Sequence, residues 1–104
     1  MKKDPEVALE VAKIFKLIKE ISPGKAVELR VPPYGAIQCG EGIVHRRGTP
    51  PNQVEMNADI LIHLVINPEA WSGLMGQGQI RASGLASDLS KLFTQVSAKY
   101  QAGI

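Results

Sequence analysis

The hydrophobic pattern begins at Val7 and continues through Val11, Ile14, Phe15, Ile18 and Ile21, with Glu10, Lys13 and Lys16 between them. Spacing of three and four residues places one apolar stripe on a helix. Asp4 can accept from the free amides at the start, Pro5 suits the first helical position, and Ser22-Pro23-Gly24 stops it. These signals predict a helix over about 5–21. The period then changes to two. In Ala26–Val31, Val27, Leu29 and Val31 alternate with Glu28 and Arg30, as in a half-buried strand. Pro32-Pro33-Tyr34-Gly35 interrupts it, and Ala36–Cys39 and Ile43–Arg47 flank Gly40-Glu41-Gly42 as two arms of a hairpin. After Gly48-Thr49-Pro50-Pro51, the run Gln53–Met56 turns Val54 and Met56 to one side. Short strands in this succession predict an antiparallel sheet with one face covered and one wet.

Ala58–Ile66 fits two periods. Its β-branched residues favour a strand, whereas Asn57 followed by Asp59 reads as a helix start. Asn67-Pro68-Glu69 opens a short helix carrying Trp71, Leu74 and Met75, ended by Gly76 and Gly78. Gln79–Ser83 alternates Ile80 and Ala82 with polar residues, giving a fifth strand. Gly84 then leads into a last helix whose stripe is Leu85, Leu89, Leu92, Phe93, Val96 and Tyr100. The reading is a single domain over 1–104, with its sheet and later helices within about 25–100.

Composition narrows the classes. A chain of 104 residues, 44% hydrophobic and 21% charged, is an ordinary globular domain rather than a disordered or fibrous one. A net charge of +2, with no basic run longer than a dipeptide, argues against a nucleic-acid partner. His63 interrupts Ile60–Ile66, so no stretch predicts stable membrane insertion. MKKDPE has no hydrophobic region behind it and predicts no signal peptide; with one cysteine and no disulfide framework, a cytoplasmic location is expected.

The chemistry-bearing residues gather between Pro32 and Asn52. Cys39 and His45 are the first candidate pair, but in a hairpin with a three-residue loop they are diagonal neighbours at about 7–8 Å. A one-residue slip puts them on opposite faces. Neither arrangement makes a nucleophile and its base, so no catalytic residue is predicted. Cys39, His45 and His63 lack paired-ligand spacing, so neither metal nor cofactor is expected. Arg30 and Arg81 occupy the polar phase of their strands, and Arg46-Arg47 put one guanidinium on each face beside His45. Together they could contact an anionic headgroup or an acidic partner. Ion pairing with Glu28, Glu41 and Glu55 across the sheet is the favoured alternative.

PGKAVELRVPPYGAIQCGEG, HRRGTPPNQVE and GQIRASGLASDLS resemble the small bacterial sterol-carrier-like proteins of actinobacterial type, within the sterol carrier protein type two superfamily. The similarity spans Pro23 to about Leu92. It implies an α/β (α+β) fold, with a five-stranded antiparallel sheet and the N-terminal, C-terminal and two short helices packed on one face. Between Glu55 and Gln79 the chain departs from the family's usual stretch but keeps Leu64, Trp71 and Gly78 in register, which puts Ala58–Ile66 on a helix.

In that superfamily lipids lie in a tunnel between sheet and helices. The resemblance therefore implies a non-catalytic binding or carrier domain for a lipid-like or amphipathic small molecule. Its wall would be Trp71, Leu74, Met75, Leu89, Leu92, Phe93 and Val96, with Arg81 or His45 holding a polar head. The same residues also suit a filled core. The alternative is then a protein-interaction or homodimerising module, or an accessory to a thiol-dependent enzyme.

Overall fold

The computed structural model describes residues 3–42 and 52–103. Helix α1 (Pro5–Ile21) starts where the sequence places it. Asp4 accepts from the amides of Glu6 and Val7, and Val11, Ile14, Phe15, Leu17 and Ile18 are its buried residues. Strands β1 (Val27–Val31), β2 (Gly35–Cys39) and β3 (Asn52–Glu55) follow, then helix α2 (Ala58–Ile66). A 3-10 turn at Pro68–Ala70 runs into helix α3 (Trp71–Gly76). Strand β4 (Arg81–Ser83) and helix α4 (Ser90–Gln101) complete the chain's described elements. Ala58–Ile66 is thus a helix, burying Ala58, Leu61, Leu64 and Val65.

The five-stranded antiparallel expectation is corrected to a mixed sheet of four strands among the described residues, in the order β2-β1-β3-β4. The predicted arm Ile43–Arg47 lies outside the described residues. Strand β1 pairs antiparallel with β2, but β3 lies parallel to β1, and β4 returns antiparallel to β3. Residues 40–51 carry the chain from the end of β2 to the start of β3, and β3 joins the opposite edge of β1. The last strand is also shorter than Gln79–Ser83. The Gln79 amide donates to the Leu74 carbonyl and that of Gly78 to Met75, closing α3 with Gly78 at φ +73°. Gln79 therefore belongs to the helix stop, and the ladder begins at Arg81.

One face of the sheet carries the core. Val27, Leu29, Val31, Cys39 and Val54 are buried on it, against the buried stripes of α1, α2 and α4. At the turn into β1, the Ala26 amide donates to the Gly40 carbonyl at 3.0 Å; a Cβ at Gly24 would lie 2.0 Å from that oxygen. Only glycine permits this approach.

Candidate functional site

The residues assigned to a tunnel wall occupy three depths. Trp71, at the start of α3, is 5% exposed and sits over Phe93 of α4, ring centroids 6.0 Å apart and tilted by 31°. Phe93 and Val96 are fully buried along the inward stripe of α4, and Leu89 is buried just before it. Leu74 and Leu92 are half-buried, while Met75 is 37% exposed. The helix pair α3–α4 thus presents apolar residues from surface to core. Leu85 is a correction: it stands fully exposed before α4, not in its stripe. Ser87 Oγ donates to the Gly84 carbonyl, and Asp88 Oδ1 accepts from the Ser90 amide, so the helix begins after this turn. That contact is the main cause holding the Asp88 carboxyl below its ordinary value.

The opposite sheet face is polar. Register aligns Arg30, Glu55 and Arg81 in one row across β1, β3 and β4, with Glu28, Gln38 and Gln53 in the next. Arg81 is paired with Glu55, and Arg30 Nε lies 3.8 Å from Glu28 Oε1. The favoured pairing across the sheet is therefore present for Arg81, whereas Arg30 meets Glu28 of its own strand; both arginines remain more than half exposed. Among the described residues, a depression of about 170 Å³ lies over this row, lined by Arg30, Gln53, Glu55 and Arg81. Others of about 230–260 Å³ border Pro32, two of them Pro33 as well. His45, Arg46 and Arg47 lie outside the described residues, so their predicted cluster is represented only by Arg30 and Arg81.

Cys39 faces the core opposite Val27, fully buried. Desolvation pushes its thiol up to about 11, which disfavours the nucleophilic thiolate. His63 is exposed on α2, and among the described residues no group of three His, Cys, Asp or Glu side chains could hold a metal ion.

Two polar side chains with distant partners escaped the sequence reading. Asn52, 5% exposed, donates through Nδ2 to the Ala26 carbonyl and accepts the Ala86 amide at Oδ1. Tyr100 Oη donates to Glu10 Oε2 at 2.6 Å, with Lys13 Nζ 5.2 Å from its ring centre, tying α4 to α1. Their partners are 26 to 90 residues away, and no local pattern signals them.

Comparison with known proteins follows the fold. The family described as bacterial SCP ortholog matches residues 4–94. A solved structure of the UbiJ-SCP2 ubiquinone synthesis protein aligns with a TM-score of 0.53 and 13% identity, over 97% of each chain; at that identity the likeness concerns the fold. Among curated proteins, none matches significantly. No helix among the described residues is long and apolar enough to cross a membrane.

Proposed function

This chain belongs to the bacterial SCP ortholog family, and from that premise we propose that it is a non-catalytic carrier for a lipid-like molecule held between sheet and helices. The observation that carries this reading is the graded burial of apolar side chains at α3 and α4. It descends from exposed Met75 through half-buried Leu74 to Trp71 and fully buried Phe93. Such a gradient lets an acyl or polyprenyl chain leave water progressively. A ligand burying ten methylenes gains roughly 8 kcal/mol before the costs of opening the wall and ordering the chain. Leu89 and Val96 would form the deeper lining, with half-buried Leu92 at its rim; Arg81, on the helix-free face of the sheet and paired with Glu55, lies away from it.

The filled-core alternative has its own observation. Trp71, Leu89, Phe93 and Val96 are packed among residues with almost no exposure, so the wall must yield before anything enters. Trp71 is the sole tryptophan, so its emission reports on this region alone. Titration with oleate, cholesterol and ubiquinone, the last suggested by the structural neighbour's name, should change Trp71 fluorescence at saturable ligand concentrations. Native mass spectrometry of freshly purified protein should also show co-purifying lipid, lost in Phe93→Ala. A clean apo mass with flat titrations would favour the interaction module.

A further inference from the structure

We propose that α3 is a hinged lid, latched by Trp71 on Phe93, through which an apolar chain reaches the core; this rests on the carrier reading above. The first observation is its anchorage. Among the six residues of α3 only Trp71 is buried, Leu74 is half-buried, and Ser72, Gly73, Met75 and Gly76 are exposed. Its principal neighbour is the 3-10 turn Pro68–Ala70, which itself packs on α2 and α4. The second observation is its composition. A Cβ at Gly73 or Gly76 would meet nothing within 4 Å, and both have ordinary helical conformations. Packing and backbone angle therefore demand glycine at neither position, yet glycine weakens a helix interior relative to alanine.

The third observation is how the segment ends. The 3-10 turn Pro68–Ala70 runs straight into its N-terminus, the Trp71 amide donating to the Pro68 carbonyl, while Gly78 closes its C-terminus in a left-handed conformation with open space around it. A short helix held by one buried side chain and half-buried Leu74, between a packed turn and a glycine, can open at low cost while the sheet and long helices stay folded. When it swings out, Trp71 and Leu74 leave with it, and the uncovered surface is that of Phe93 on α4. The ligand would take the place of the indole.

Amide hydrogen exchange on the intact protein tests the motion without any ligand. The Gln77 and Gly78 amides, bonded to Gly73 and Met75, should exchange at least about tenfold faster than mid-helix amides of α2 and α4. Protection equal to α4 would overturn the lid. Gly73→Ala with Gly76→Ala should slow α3 exchange by about 4- to 25-fold, each substitution contributing about 2- to 5-fold. Association of oleate, followed by stopped-flow Trp71 fluorescence, should slow by a similar factor. Unchanged exchange in the double variant, or an unchanged association rate with normal binding, also counts against it. If oleate, cholesterol and ubiquinone all fail to bind while α3 still opens, the carrier reading falls and the lid motion stands.

Discussion

Asn52 has both halves of its amide engaged in the interior, joining the start of β1, the start of β3 and the turn before α4. Asn52→Ala leaves the Ala26 carbonyl and Ala86 amide without that partner, and should cost roughly 1–3 kcal/mol, read as a lower urea midpoint at unchanged slope. Asn52→Asp keeps the acceptor but sets a carboxylate oxygen against the Ala26 carbonyl, so its defect should shrink on acidification, when a carboxyl proton can replace the lost donor. Cys39 makes the opposite prediction. Its thiol keeps its proton to about pH 11 when folded and releases it near pH 9 when exposed. Between those values the unfolded chain holds fewer protons, so its contribution is intact below pH 9 and lost by on the order of 2 kcal/mol as pH rises to 11. Tyr100 moves stability in the same direction, its hydroxyl pushed up first by the bond to Glu10. A thiol reagent at neutral pH should label Cys39 only after denaturant is added. Cysteine is among the residue types most often buried, which made the place of Cys39 legible, whereas Asn52 sat in a Pro-Pro-Asn turn signal with nothing to reveal its distant partners. Leu85 misled because it is four residues before Leu89; fully exposed, it should tolerate Leu85→Ser within about 0.5 kcal/mol.

Among the elements, α1 declared itself through periodicity and its cap and α4 through periodicity, whereas Ala58–Ile66 fitted two periods and was placed on a helix by the family resemblance. Asp4 performs the capping its position suggests, and Asp4→Ala should lower stability by about 1 kcal/mol, seen as a lower midpoint and fraying of the first turn of α1 in amide exchange. The strands were legible as strands but not in their pairing. Alternation assigns Val27, Leu29, Val31 and Val54 to one face, and all are buried there, yet period two is identical for parallel and antiparallel neighbours. What decides the order β2-β1-β3-β4 is that β3 crosses to the free edge of β1, a choice made by long-range packing. The C-terminal stop of α3 likewise took Gln79 from the predicted strand, because the same amide cannot serve helix and ladder. Of the candidate wall, residue type and helix were readable; depth was not, since Met75 and Phe93 look alike until α3 and α4 are placed together.

For the molecule as a whole, the two layers have contrasting outer and inner surfaces. The helix-free face of the sheet is lined by Arg30, Glu55, Arg81, Glu28 and Gln53, and its exposed ion pairs contribute little to stability. If a lipid binds the interior, saturating ligand at one hundred times its dissociation constant should add about 2.7 kcal/mol, a rise in melting temperature of roughly 10–20 °C. A filled core predicts no such rise with oleate, cholesterol or ubiquinone in differential scanning fluorimetry. The parallel partnership of β1 and β3, together with the bond between Glu10 and Tyr100, also constrains how the chain must assemble. During synthesis the first helix emerges with Val11, Ile14, Phe15 and Ile18 already arranged on one side, but α4, which covers part of that stripe, follows only after β4. Strand β1 waits for its second neighbour, β3, beyond β2, and the far edge, β4, waits longer still. Distant closures of this kind slow folding and prolong exposure of sticky intermediates. The nascent chain is therefore most vulnerable to aggregation while its earliest helix is complete and its last is still on the ribosome.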